Sequence, residues 1–270
     1  MLLYSLRCSF IFYIKGGTNV NYYLIVFSPT GGTERVSKAI TRNWSQVDTI
    51  DLSVPNANYS GIAFDQNSLV LIAMPSFGGA APQLALDRLA VIKGNGAKCA
   101  VVAVYGNRAY EDTLVQMEDY AQNAGFQVIA AISAVAEHSI IHEYAAGRPN
   151  VDDCKELAEF GDRILEKATS DPLSKPSVPG NRPYKKSGTG MVPKADSSCT
   201  SCGLCVQKCP AGAISANRPG ATDKSKCISC MRCVSICPVH ARKVSSVMTA
   251  VAAAAIKKAC SVEKANELFL

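Results

Sequence analysis

Along residues 20–168, short apolar runs alternate with stretches whose apolar positions recur at helical spacing. Residues 22–27 form a β-type run that stops at Ser28-Pro29-Thr30-Gly31-Gly32-Thr33. A helix is predicted over 34–44, with Val36 and Ile40 four apart and Trp44 on it as a packing residue, and a second strand over 47–52. Residues 68–73 read as a fully buried strand, broken by Met74-Pro75-Ser76-Phe77-Gly78-Gly79. Pro82 suits the first turn of a helix reaching Ile92, carrying Leu84, Leu86 and Leu89. Residues 99–105 form another continuous apolar strand, and Gly106-Asn107-Arg108 turns it into a helix over 111–124. A fifth strand covers 126–133 and a last amphipathic helix 152–167. Strands that are apolar on both faces and alternate with helices imply an α/β domain whose parallel sheet is covered on both sides. Five strands in this length predict a doubly wound sheet of order 2-1-3-4-5.

The rest of the chain changes character. Residues 169–198 hold Pro172, Pro176, Pro179, Pro183 and Pro193 among Ser, Gly and Lys, the composition of an extended semi-rigid linker. Residues 199–245 contain an internal repeat with a 28-residue offset, and the Ala-rich segment 246–270 reads as a C-terminal helix. The chain of 270 residues is 48% hydrophobic and 19% charged, enough apolar content for a packed core. Its net charge of +6 is uneven: residues 20–168 carry 11 basic against 17 acidic residues, and 199–245 carry 7 against 1. Attraction between the two halves is one expectation, solubility alone the other. No Lys/Arg run interleaves with aromatics, so nucleic acid is not expected as a partner. Residues 1–19 are apolar but too short for a membrane span, and lack a basic leader and a small-residue cleavage site. Lys15-Gly16-Gly17 can be encoded by a ribosome-binding sequence, and Val20 by a GTG start. Residues 1–19 are therefore read as a non-native upstream extension, with a membrane tether as the alternative and no stable membrane insertion expected.

Eight of the twelve cysteines fall between positions 199 and 237. Clustered cysteines in an α/β chain indicate metal binding in a reducing, cytoplasmic setting rather than a disulfide framework. Cys199, Cys202, Cys205 and Cys209-Pro210 are followed by Cys227, Cys230, Cys233 and Cys237-Pro238 at the same spacing. Three thiolates at this spacing wrap one face of a cubane, and the fourth comes from elsewhere. In two-cluster proteins the fourth cysteine of each run reaches the other cluster. This assigns Cys199, Cys202, Cys205 and Cys237 to one [4Fe–4S] cluster, and Cys227, Cys230, Cys233 and Cys209 to a second. Structural zinc, which favours closed sets of four, fits the spacing poorly. Ala211-Gly212-Ala213-Ile214 are expected beside the first of these clusters. The segment of about 45 residues resembles a bacterial-type two-[4Fe–4S] ferredoxin, a single-electron carrier.

Ser28, Thr30, Gly31, Gly32 and Thr33 place hydroxyls and backbone N–H groups at a predicted helix N-terminus, which favours an anion such as phosphate. The alternative is a tight turn with an N-cap. No Gly-x-Gly-x-x-Gly and no Walker lysine accompany them. The order Ser-x-Thr-Gly-x-Thr resembles the FMN phosphate loop of flavodoxins, which implies a flavodoxin-like FMN-binding domain over 20–168. The resemblance maps the ring-flanking loops to Ser76, Phe77, Gly78 and Gly79, and to Tyr105, Gly106, Asn107 and Tyr110. Phe77 and Tyr105 are stacking candidates, with core filling as the alternative. The chain as a whole resembles fused flavodoxin–ferredoxin proteins of bacteria and archaea. Tyr105–Asp112, Glu137-His138-Ser139 and Val178-Pro179-Gly180-Asn181 carry that resemblance.

His138 and His142 stand four apart and are read as rim residues rather than metal ligands; Cys99, Cys154 and Cys260 are read as structural. No residue stands out as a catalytic base or nucleophile. The expectation is an electron-transfer protein of anaerobe type, passing single electrons between two [4Fe–4S] clusters and FMN, with a redox protein as donor or acceptor. The alternatives are a flavin-dependent reductase of a small substrate and an iron–sulfur sensing module without FMN.

Overall fold

The computed structural model describes residues 20–170 and 172–270. Residues 1–19, read as an upstream extension, lie outside the described residues. In chain order the elements are β1 (Asn21–Val26), α1 (Gly32–Ile40), β2 (Val47–Asp51), β3 (Ser68–Pro75), α2 (Gln83–Ala90), β4 (Lys98–Tyr105), α3 (Thr113–Asn123), β5 (Gln127–Val135) and α4 (Val151–Ala168). They are followed by β6 (Lys194–Ala195), α5 (Leu204–Gln207), α6 (Arg232–Ser235), β7 (Arg242–Lys243), α7 (Ser246–Cys260) and β8 (Glu267–Phe269).

The main sheet has the order β2-β1-β3-β4-β5-β8, and its first five strands are parallel. The expected order 2-1-3-4-5 is present, which is the flavodoxin-like arrangement. Alternate residues of each strand serve opposite faces. Ile25, Val70, Ile72 and Met74 pack with Leu86 and Leu89 of α2 and Leu114 and Met117 of α3. Leu24, Val26, Leu69 and Leu71 pack with Val36 and Ile40 of α1 and Leu157 and Ile164 of α4. Helices α1 and α4 approach so closely that a Cβ on Gly161 would lie 1.9 Å from the Ile40 carbonyl oxygen. Trp44 lies four residues past the end of α1 and donates Nε1–H to the Gly161 carbonyl at 3.3 Å.

Two expectations about the later chain need correction. The segment 246–270 is not one helix. Helix α7 stops at Cys260, and β8 pairs antiparallel with β5, so the sheet has six strands rather than five. Asn266 makes the break: it is 5% exposed, its Oδ1 accepts from Val135 N, and its Nδ2 donates to Asp153 and Glu156. A buried amide with every group satisfied holds this chain direction firmly. The linker, in turn, is extended but not a free spacer. The Asp112 carboxylate, 1% exposed, accepts from Asn181 N and Lys185 N, both at 2.9 Å. Burial pushes the Asp112 pKa up, but these N–H donors outweigh it and hold the group below its ordinary value. Arg182 grips Asp119 through two bonds of 2.6 and 2.5 Å, and Lys185 pairs with Glu111 at 3.0 Å. The 169–198 segment is therefore a strap along α3.

The strap also answers the charge question. Among the described residues, its lysines and arginine take the acidic partners of the front half, and no ion pair joins the front half to 199–245. The cysteine-rich module docks instead through neutral acceptors. Arg88 donates to Pro210 O at 2.7 Å and to Leu52 O at 2.5 Å. Arg232 reaches Ser53 Oγ at 3.2 Å and the carbonyls of Ser28 and Pro29 at 3.5 Å. No helix among the described residues is long and apolar enough to cross a membrane.

The C-terminal tail is clamped by a buried ion pair. Arg148 donates Nε–H to Asp153 at 2.8 Å and NH1 to Lys264 O at 2.6 Å, and Asp153 also completes a capping box with Asn150 at the start of α4. Burial raises the Asp153 pKa, but Arg148, the Asn150 backbone and Asn266 outweigh it and hold the group below its ordinary value. Such a group contributes stability at neutral pH that is lost as pH falls through the lowered value. Asp153→Ala is expected to cost about 3 kcal/mol by stranding Arg148. The urea midpoint of variant and wild type checks this, and their difference narrows toward acid pH.

Candidate functional site

The sheet reverses its winding between β1 and β3, and the crevice outside their carboxyl ends is where doubly wound folds take ligands. A cavity of about 280 Å3 sits there. Thr30, Gly32 and Thr33 line one end of it. Gly31, at φ 89°, caps α1 without a side-chain bond, and Gly32 and Thr33 of the first turn line the cavity. Ser28 does not line the cavity; its Oγ accepts from Glu34 N at 2.9 Å and shapes the turn. Arg35 stands beside the loop, its NH1 3.8 Å from where a Gly31 Cβ would be.

The two further loops contribute in part. Ser76, Phe77, Gly78, Tyr105 and Gly106 line the cavity. Gly79, Asn107 and Tyr110 do not, and each has a structural partner instead. A Cβ on Gly79 would lie 1.8 Å from Glu111 Oε2. Asn107 is 4% exposed; its Nδ2 donates to Cys260 O and Val262 O at 3.0 Å, and its Oδ1 accepts from Lys264 N. Tyr110 donates to Glu267 at 2.9 Å and meets Tyr105 edge-on at 5.2 Å. The sequence pattern gave no warning of this for Asn107 and Tyr110, since their partners lie about 150 residues downstream in a tail read as helix. Tyr105 remains a neutral phenol: burial, reinforced by Glu267, pushes its pKa up to about 12.

Four groups of wall residues came from outside the expected loops. The 137–141 loop after β5 supplies His138, already read as a rim residue. Its Nδ1 accepts from Ile140 N at 3.2 Å and Ile141 N at 3.1 Å, which leaves Nε2 as the N–H donor. Burial, then the charges of His142 and Arg108, lower its pKa. His142 turns away and pairs with Glu137 at 2.7 Å. The strap supplies Gly188, Thr189 and Met191, fixed by the 2.6 Å bond from Gly188 N to Phe77 O. Helix α7 supplies Ala252 and Ile256, and Tyr144 donates to Ala253 O at 2.8 Å beneath it. The module supplies Ser229 and Cys230.

Within the module the 28-residue sequence offset recurs in the backbone. Ser201 and Ser229 both have φ 55°, Gly203 and Met231 have φ 75° and 60°, and Gly212 and His240 have φ 59° and 51°. Left-handed residues at matched positions wind each cysteine loop the same way, and α5 matches α6. Cys209, Cys227, Cys230 and Cys233 line one small cavity; Cys199, Cys202, Cys205 and Cys237 line another. Ala211, Ala213 and Ile214, expected beside the Cys199 group, line the Cys227 cavity instead, because they follow Cys209 as it crosses over. Burial pushes the Cys230 thiol up to about 11 and the Cys233 thiol up to about 12. Thiolates in such surroundings need a bound cation to offset their charge. Ala213 N and Ser229 N lie 3.3 and 3.4 Å from the sulfurs of Cys209 and Cys227.

Comparison with known proteins matches residues 198–242 to the 4Fe-4S dicluster domain family. No curated protein matches the chain in a sequence search. Among solved structures, it is similar to a flavodoxin from the domain Archaea, at 14% identity and TM-score 0.41, over 56% of this chain and 99% of that one. It is also similar to a Megasphaera elsdenii flavodoxin, at 18% identity and TM-score 0.34, over 53% and 98%. A third likeness is to flavodoxin 2 from Bacillus cereus, at 15% identity and TM-score 0.39, over 54% and 99%. The fold itself is established by the strand order rather than by these scores.

Of the glycines lining the cavity, Gly106 is the most closely packed: a Cβ there would lie 2.6 Å from His138 Cβ and Cδ2. Gly106→Ala is expected to displace the His138 loop and weaken uptake of the FMN anticipated here by about tenfold or more, a loss of about 1.4 kcal/mol. Fluorescence titration of flavin-free protein with FMN measures it.

Proposed function

We propose that this chain, a flavodoxin-like fold joined to a 4Fe-4S dicluster segment, is an electron-transfer protein holding FMN in the strand-end cavity and two [4Fe–4S] clusters in the module. The observation that carries the reading is the position of Cys230. It lines the strand-end cavity and also the cavity shared with Cys209, Cys227 and Cys233. One residue thus forms the wall between the expected flavin and the expected inner cluster. In this reading Cys209, Cys227, Cys230 and Cys233 hold the inner cluster, and Cys199, Cys202, Cys205 and Cys237 the outer. The cysteines surround two cavities in crossed sets of four, the fourth member of each set coming from the other run, which is the pattern two-cluster proteins use.

Thr30, Gly32, Thr33 and the N-terminus of α1 would hold the phosphate; Ser76, Phe77, Gly78, Tyr105 and Gly106 would flank the ring. When bound, the clusters supply single-electron carriage and the flavin exchanges one or two electrons. The protein contributes position and surroundings. Tyr105 stays neutral, His138 presents one fixed N–H, and the strap, the module and α7 each supply part of the crevice wall. Walls supplied by the chain's own segments favour a carrier over a reductase that admits a separate substrate.

Protein purified without oxygen is expected to contain about eight iron, about eight acid-labile sulfides and about one FMN per chain. Cys230→Ser and Cys202→Ser are each expected to lower the iron by about half, and only Cys230→Ser to alter the flavin's reduction potential. Clusters without flavin would remove the FMN half of the reading, and zinc without labile sulfide would overturn all of it.

A further inference from the structure

The module carries charge that the fold does not use. Of its seven basic residues, Arg232 faces the front half and Arg242, 2% exposed, is bound to backbone carbonyls and Thr222. Lys243 pairs with Asp196 at 2.7 Å. Lys208, Arg218, Lys224 and Lys226 are exposed and have no acidic partner among the described residues. The strap already satisfies the acidic residues along α3, so the excess points outward.

Two of these cations sit on the backbone segments that build the outer cysteine cavity. Lys208 closes α5, the turn that carries Cys205, through its N–H to Leu204 O at 3.0 Å. Arg218 adjoins Pro219, which lines that cavity and whose carbonyl lies 4.0 Å from Cys205 Sγ. Of the eight clustered cysteines, Cys202 alone is exposed, and it belongs to this same cavity. At the opposite end of the relay the strand-end cavity is walled by the strap, the module and α7.

We infer that the face around Cys202, bounded by Lys208 and Arg218, is the docking port for an acidic one-electron carrier protein. The inference rests on the two-cluster reading above. One electron leaves the carrier's reduced centre and enters the chain at its Cys202 end; no bond forms or breaks, and no proton moves. Charge complementarity of this kind sets orientation and encounter rate, and salt screens it. Exposed cations without partners lose nothing in desolvation until a partner arrives, so they are well suited to a contact that must also release.

The test uses the full chain with clusters and flavin loaded, and an acidic two-[4Fe–4S] ferredoxin as the probe, with binding followed by anaerobic calorimetry. The double variant K208E/R218E is expected to bind about tenfold or more weakly at about 50 mM salt, the gap closing near 0.5 M. K208Q/R218Q should fall between it and wild type, which guards against misfolding as the cause. The control K257E/K258E makes the same net change on α7 and should bind as wild type does. Equal weakening by the control, no weakening by either, or tighter binding of a short DNA duplex than of the ferredoxin would each overturn the port. Iron and flavin are quantified in every preparation. Wild type without clusters sinks the electron-transfer reading itself, whereas loaded protein that ignores these substitutions sinks only the port.

Discussion

The rest of the structure depends on one constraint: a parallel sheet buried on both faces sends every strand out through the same edge. Strands β1 and β3 wind away from each other, so their loops part and leave a crevice that the helices do not fill. The Ser28–Thr33 turn, the Phe77 turn, the Tyr105 turn and the 137–141 loop gather there because the chain has no other way to cross between layers. What remains is to close that opening, and the second half of the chain is organised around doing so.

Closure uses charge and neutral contacts for different purposes. The strap is fixed by carboxylates: buried Asp112 accepts from its backbone, and Asp119 and Glu111 take Arg182 and Lys185. The module is seated by arginines on carbonyls and a hydroxyl, contacts that cost less to desolvate than a buried ion pair. Arg232 Nε remains buried without a partner at this seam. An ionic strap with a softly seated module gives a tethered half that keeps its position without being locked.

Much of the first half could be read from residues alone. Apolar runs that ignore alternation mark β3 and β4, and Ser-x-Thr-Gly-x-Thr marks the turn after β1. The cysteine repeat was legible because a fixed spacing implies a fixed winding, and the backbone repeats its left-handed residues at the same offset. Asn107, Gly79 and Tyr110 are held by neighbouring segments rather than lining the cavity, because loop residues serve either a ligand or a neighbouring segment and local sequence does not say which. The three-residue β8 is too short to establish an alternation, and the Ala-rich run before it hides its start. The wall residues from the strap, Gly188 and Thr189, look like spacer until the Gly188–Phe77 bond is seen.

Strand β8 has a consequence for how the molecule is made. It pairs with β5 after the strap, the module and α7 have intervened, so the ribosome must pass through the entire iron-binding segment before the sheet's outer edge is covered. Until then β5 presents an unpaired edge, the kind of surface that recruits stray strands. The sheet and the module are therefore not two beads on a string. In the order of synthesis the module is an insertion within the sheet domain, and cutting the gene at the strap would separate a fold from its own closing strand.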